Sequence, residues 1–314
     1  MIDSPDIASV LAPVPIVDFM ITSTTVSPED ASQIYDPART YGIGEYAYSD
    51  VTHRRYESLK AGNLNHDPTL IENQTTATGV GTWWADVAPT NRYAMFDTLV
   101  STATVFTSPL TVVLKPGSFN GLALFGIDAE GISITVKDAP GGNVTFSYTG
   151  DLEGSDPPDY YEYFFDRFKP QTKFIQTGLL PYNQQELTLT LTKATGNVSL
   201  GMLALGDMRP LGAPLRGATV EPIDNSSVVS DGFGGLKIKR RASATGLSIS
   251  AKMTIEDAEA VLGTVQQLLG TPVVVVGSTA RFYEGLTVFG LISGRQSFDD
   301  FEEPVLNLTV KGMI

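Results

Sequence analysis

The sequence predicts a mainly β protein with a single helix in its C-terminal third. Threonine, valine, glycine and aromatic residues recur throughout the 314 residues, and branched and aromatic side chains suit a pleated, half-buried surface. Short apolar stretches alternate with clusters of Gly, Pro, Asn and Asp, whereas long helical patterns are rare. Hydrophobic residues make up 42% of the chain and charged residues 18%, which is enough apolar content for real cores. At this length we expect two or three modules.

Residues 1–34 are predicted to form an N-terminal arm. The stretch IVDFMITSTTV at 16–26 is β-prone, and prolines interrupt the apolar residues before it. Two interpretations remain open. The arm pairs with a neighbouring subunit or with a later module of the same chain, or it forms an ordinary edge strand.

Residues 35–90 are predicted to form a small aromatic β module. A block this short cannot build a large core, but stacked aromatic rings can hold a three-stranded sheet. Exposed Tyr and Trp side chains can also stack on sugar rings or anchor a protein partner. The candidate glycan-binding residues are Tyr41, Tyr46, Tyr48, Trp83 and Trp84. The small size of the block favours the alternative, in which most of these rings form its core.

Residues 91–208 are predicted to form a β-sandwich of the jelly-roll or galactose-binding-like kind. Leucines alternate with threonines over 187–192, which gives one apolar and one polar face, and Gly196-Asn197 predicts a turn. We expect an acidic, aromatic insertion at 151–174 to form a long loop with a short helix. The predicted strands are 110–114, 122–127, 132–138 and 144–148, followed by a hairpin over 186–206.

Residues 209–314 are predicted to form an α+β module, with a boundary near 208–212. Thr254 and Asp257 have the spacing of a capping box, apolar residues then recur at helical spacing, and Gly270 ends the pattern. We expect this helix to cover one face of an antiparallel sheet. The predicted strands lie within 236–253, where two surround a Gly turn, and at 273–277, 285–292 and 304–314.

The net charge of −14 disfavours nucleic acid and anionic lipid as general partners. The acidic residues favour solubility, or an acidic lining that keeps DNA from adhering to a conduit. The compact basic patch comprises Lys237, Lys239, Arg240 and Arg241. The two lysines alternate with Leu236 and Ile238, which predicts the solvent face of a strand or, alternatively, an interface with an acidic subunit. No apolar run is long enough to span a bilayer and the N-terminus lacks the pattern of a signal peptide, so we expect no membrane insertion and synthesis in the cytoplasm.

The sequence predicts no catalytic centre, no metal site and no cofactor. The absence of cysteine excludes disulfides and thiolate chemistry, and the two histidines, His53 and His66, lie in polar, loop-like contexts without metal-ligand spacing. Acidic clusters are predicted to be solvated loops rather than catalytic pairs. They comprise Asp156, Asp159 and Glu162, and Asp299, Asp300, Glu302 and Glu303.

The small aromatic block resembles the chitin-binding-type module attached to bacterial chitinases. The resemblance implies polysaccharide binding through exposed aromatic residues. The residues that carry it, in order, are Tyr41, Gly44, Tyr46, Tyr56, Ser58, Asp67, Pro68, and Trp83 or Trp84.

Two further segments are similar to tail proteins of bacteriophages. The segment WWADVAPTNRYAMFD (83–97) is similar to one that joins a small module to a jelly roll in phages of Gram-negative bacteria, and 271–314 resembles the C-terminal module of distal-tail-type baseplate proteins. The resemblance implies a non-enzymatic structural protein of the virion tail tip or baseplate, assembled in the host cytoplasm. The implied partners are other tail proteins, copies of the chain itself in a ring-like homo-oligomer and, alternatively, a host surface glycan. No specific nucleic-acid binding is implied.

Overall fold

The computed structural model describes residues 6–75, 83–152, 170–230, 235–240, 243–280, 283–298 and 302–313. Over these ranges the chain is mainly β with one α-helix, which confirms the predicted fold class. No helix in the described part is long and apolar enough to cross a membrane. The predicted loop and helix at 151–174, apart from its ends, lie outside the described residues.

Twenty strands and one helix form the described part of the chain. The helix, α1 (Ile255–Gln267), lies between β17 and β18. The strands are β1 (Ala8–Pro13), β2 (Ile21–Thr24), β3 (Tyr46–Tyr48), β4 (Arg54–Ser58), β5 (Trp84–Pro89), β6 (Thr104–Thr107), β7 (Leu110–Gly117), β8 (Gly121–Asp128), β9 (Gly131–Lys137), β10 (Val144–Asp151), β11 (Lys173–Gln176), β12 (Gln185–Thr192), β13 (Asn197–Pro214), β14 (Thr219–Ile223), β15 (Ser227–Ser230), β16 (Leu236–Lys239), β17 (Ala244–Lys252), β18 (Val273–Val276), β19 (Thr287–Ser297) and β20 (Val305–Gly312).

The middle of the chain folds as a β-sandwich. One layer is the five-stranded sheet β10-β9-β12-β7-β2, and the other contains β11-β8-β13 with β6 paired to β13. Leu187, Leu189 and Leu191 are fully buried between the layers because the threonines that alternate with them point outward. The one-sided apolar pattern of β12 is therefore confirmed.

The hairpin predicted over 186–206 is wrong. β12 pairs with β7 and β9 in one layer, whereas β13 pairs with β6 and β8 in the other. The turn at Gly196, whose φ of 88° suits glycine, carries the chain from one layer to the other instead of reversing it within a sheet. A local turn signal cannot distinguish these two paths.

The C-terminal part closes into a six-stranded antiparallel barrel. The order is β13-β1-β18-β19-β20-β17, and the end of β13 pairs with β17 through Ala213 and Pro214 to complete the ring. Gly212 at this corner has a φ of 122°, and a Cβ atom there would collide with the carbonyl of Lys252. Helix α1 buries Ala258, Val261 and Val265 against the barrel core. The predicted helix that covers one face of an antiparallel sheet is therefore present, but this sheet closes into a barrel.

The N-terminal arm is an integral part of this fold. β1 is a strand of the barrel wall, paired with β13 on one side and β18 on the other. β2 is an edge strand of the sandwich beside β7. The arm therefore pairs with later modules of its own chain. The boundary predicted near 208–212 falls inside β13, so the sandwich and the barrel share one continuous strand there instead of a linker.

The sandwich and the barrel meet through an apolar cluster on the outer face of β8 and β13. Phe125 and Met202 on the sandwich side pack with Leu11, Val274 and Phe289 on the barrel side. β8 and β13 are consequently buried on both faces, which explains their continuous apolar sequences.

The prediction of two strands around a Gly turn within 236–253 is also wrong. β16 pairs with β15 in a separate two-stranded sheet, whereas β17 pairs with β14 and β20. Gly246 lies inside β17 and forms no turn. Every residue of β16 is exposed, so Leu236 and Ile238 have no buried face behind them.

Candidate functional site

The small aromatic module is held by a core of rings beneath its three-stranded sheet, β3-β4-β5, as predicted. Tyr41 and Trp84 are buried, with their ring centroids 5.1 Å apart in an edge-to-face arrangement. Tyr35 stacks on Tyr41 at 5.9 Å, and the Trp84 indole N–H donates to the carbonyl of His66 at 2.7 Å. Because Tyr41 and Trp84 offer no ring face to solvent, we withdraw both from the candidate glycan-binding set.

The outer face of the same sheet carries the exposed ring of Tyr46. Tyr46 and Tyr48 flank buried Ala47 in β3, so strand alternation places both on the face opposite the core. The Arg55 guanidinium lies 4.8 Å from the Tyr46 ring centroid, and the Tyr46 hydroxyl donates to Glu57 at 3.4 Å. Arg55 covers part of the Tyr46 ring, as Lys60 does at Trp83, but Tyr46 remains 41% exposed. An exposed aromatic ring beside a cation and a carboxylate is suited to a polar ligand with a flat apolar side.

Trp83 lies apart from that face and is half-buried. The His66 ring stacks on it with centroids 3.7 Å apart, and the Lys60 ammonium lies 4.8 Å from its ring centroid. Two side chains therefore already occupy the surface of this indole. The five candidate residues do not form one platform: only Tyr46 and Tyr48 share an outer face.

A polar joint fixes the small module to the sandwich and to the N-terminal segment. The His53 ring stacks on Tyr93 with centroids 3.6 Å apart, its Nε2 lies 2.8 Å from Asp18 Oδ1, and its Nδ1 lies 3.3 Å from Glu29 Oε1. Thr90 donates to Glu29 at 2.6 Å. Burial alone raises the pKa of Glu29, but the hydrogen bond from Thr90 and the proximity of His53 outweigh it and hold this pKa below its ordinary value.

The segment 83–97 spans this joint. Trp84 at its start belongs to the small-module core, and Met95 near its end is fully buried in the sandwich core. Phe96 packs against the sandwich, whereas Tyr93 stacks on His53 of the small module. The segment thus anchors one module to the next at both ends.

The remaining candidates give no assembled centre in the described residues. No group of three or more His, Cys, Asp or Glu side chains that could hold a metal occurs there. Glu303 pairs with Lys252 at 3.0 Å. The predicted acidic residues Asp156, Asp159, Glu162, Asp299 and Asp300, and the basic residue Arg241, lie outside the described residues.

Sequence reasoning missed Arg55 and Glu57 as partners of Tyr46. The signal was the alternation in β4, since residues that pair with Tyr46 and Tyr48 across an antiparallel sheet must share their face. It also missed that the apolar side of the β15–β16 pair is exposed, because an alternating Leu-Lys-Ile-Lys pattern normally indicates that the apolar side is buried.

No protein-family model matches the chain, and no curated protein matches it. Among solved structures, chitosan-binding module 1 from a chitosanase/glucanase of Paenibacillus sp. IK-5 is similar over 36% of this chain and 82% of that chain, at 14% sequence identity. The TM-score of 0.25 is too low for this likeness to assign a fold or a function to any part of the chain.

Proposed function

We propose that the chain is a structural subunit of the virion of a tailed bacteriophage, located in the tail tip or baseplate and acting through subunit contacts. The observation that carries the proposal is the segment 83–97, which is similar to phage tail proteins and which here anchors the small module to the sandwich at Trp84 and Met95. The proposal assigns no catalytic role and no cofactor. Its partners are other tail proteins and further copies of the same chain.

The fixed connections between modules support this role. The sandwich and the barrel share β13 and an apolar cluster, and the small module is held by the joint around His53. A subunit that transmits contacts across a particle needs its docking surfaces at defined positions, which such connections provide.

The test is removal of the chain from a phage that encodes it, with complementation in trans. We expect particles without the chain to lack a complete tail tip in negative-stain images and to lose infectivity, and the wild-type chain to restore both. Two variants test whether the anchor is required: Met95→Asp, which breaks the anchor in the sandwich core, should not complement, whereas Tyr182→Ala on the exposed sandwich surface should. Normal infectious particles without the chain would overturn the proposal.

A second candidate function, binding of a host surface glycan, rests on the exposed Tyr46 face. Tyr46, Arg55 and Glu57 combine a ring with two charged groups on the outside of the small sheet. We expect Tyr46→Ala to lower binding of the isolated chain to host polysaccharide at least tenfold, while the equally exposed Tyr182→Ala leaves binding unchanged. Equal binding by wild type and Tyr46→Ala would exclude this face.

A further inference from the structure

We propose that a cavity between the sandwich and the barrel, lined by Lys173 and Thr287, binds a small aliphatic carboxylate. The inference goes beyond the proposed structural role and does not depend on it. Lys173 belongs to β11 of the sandwich and Thr287 to β19 of the barrel, so a ligand that contacts both residues bridges the two modules.

The cavity adjoins the apolar cluster through which the two modules meet. Its volume is about 130 Å³, about four times the ~30 Å³ that a water molecule occupies in the liquid. Phe125, Phe289 and Met313 line it, and all three belong to the apolar cluster or pack against it. A ligand of a few non-hydrogen atoms with a short apolar part suits this volume and lining.

Lys173 is the only charged residue among the described residues that line the cavity. It pairs with Phe125 of β8, whose side chain lies in the apolar cluster, so the Lys173 side chain also lies on the barrel side of its sheet. Its ammonium donates to the carbonyl of Thr287 at 2.9 Å, and no carboxylate of the described chain pairs with it. Burial lowers the pKa of Lys173, because a positive charge is costly there without a counter-charge.

The hydroxyl of Thr287 is a second polar group that the described chain leaves unsatisfied. Thr287 is fully buried, and its Oγ1 has no hydrogen-bond partner. Strand alternation places its side chain on the same face of β19 as Phe289, which contacts the sandwich, whereas Val288 between them lies in the barrel core. Because a buried hydroxyl without a partner is costly, a ligand that accepts its hydrogen bond gains free energy of binding.

A carboxylate supplies what both groups lack. One of its oxygens accepts from a remaining N–H of the Lys173 ammonium and the other from the Thr287 hydroxyl. The two donors lie close together, since the ammonium is already bonded to the main chain of Thr287. A single negative charge balances the single ammonium, whereas phosphate has further acceptor oxygens that the apolar lining would leave unpaired. The same lining favours an alkyl chain on the carboxylate, and butyrate represents this class.

Protection of the Lys173 amine tests the proposal in the intact wild-type chain. The protein is acetylated briefly with an N-hydroxysuccinimide ester at increasing butyrate concentrations, and each lysine is followed by mass spectrometry. We expect butyrate to slow the acetylation of Lys173 in a saturable manner, by about tenfold at about ten times its dissociation constant, because about one site in ten is then free. Exposed Lys115 in β7 is the internal control and should react at an unchanged rate. Butyramide, the neutral analogue, should protect neither lysine.

Two variants connect the protection to the proposed donors. Thr287→Val keeps the shape of the side chain but removes the hydroxyl, and should weaken butyrate binding about tenfold. Butyrate should raise the melting temperature of the wild type and of the matched control Lys115→Met, but not that of Lys173→Met. Absence of protection by butyrate, or equal protection in Thr287→Val, would overturn the site. Inorganic phosphate that protects Lys173 as well as butyrate does would overturn the assignment to a carboxylate.

Discussion

The burial of Trp84 predicts that one substitution unfolds the small module while the rest of the chain stays folded. Trp84→Ala removes a fully buried indole and its contacts with Tyr35 and Tyr41. Such truncations cost about 3–5 kcal/mol in well-packed cores. A module of this size has a free energy of unfolding of only about 3–8 kcal/mol, so the loss takes most or all of it.

Hydrogen exchange followed by mass spectrometry resolves this effect by module. In Trp84→Ala we expect amides of β3, β4 and β5 to lose protection, while amides of β7, β9 and β12 in the sandwich keep theirs. Trp84→Phe retains a ring but leaves the His66 carbonyl without its indole donor, which costs about 1–3 kcal/mol and gives an intermediate loss. Tyr46→Ala, on the outer face, is the control and should change protection little. Unchanged exchange of β3–β5 in Trp84→Ala would refute the assignment of these rings to a core.

Three further predictions concern the barrel, the helix and the joint. Gly206→Ala places a Cβ against the carbonyl of Ala12 and should lower the free energy of unfolding by about 1–3 kcal/mol in denaturant titrations. Gly263→Ala, in α1 with open space around its Cβ position, should raise that free energy by about 0.5–1 kcal/mol, and a loss would contradict its helical placement. Because the pKa of Glu29 is lower in the folded state, its contribution to stability is present above pH 4.5 and is lost as the pH falls through the folded-state pKa. Glu29→Gln should therefore make the melting temperature depend less on pH below 4.5 than it does in the wild type. An unchanged pH dependence would exclude this role of Glu29.

The sequence predicted individual elements better than their partners. Alternating leucines in β12 and the spacing from Thr254 to Gly270 identified a strand and a helix, because both patterns are local. The path from β12 to β13 was mistaken for a hairpin because a Gly-Asn turn looks the same whether the chain stays in one sheet or crosses to another. Barrel closure depends on pairing Ala213 with Lys252, and no short-range pattern reports a contact between residues so far apart.

The candidate site was only partly predictable for a related reason. The aromatic residues of the small module were recognised, but their composition does not say which ring faces inward. The alternation in β3 separates Tyr46 from Ala47, whereas the burial of Tyr41 depends on loops that fold back over the sheet. Similarly, the exposure of Leu236 follows from the pairing of β16 with β15 alone, which the sequence does not specify.

Cryo-electron microscopy of intact particles from a phage that encodes this chain tests the central claim most directly. We expect density for several copies of the chain in a ring at the tail tip. Particles whose tail tips are fully accounted for by other proteins would contradict it.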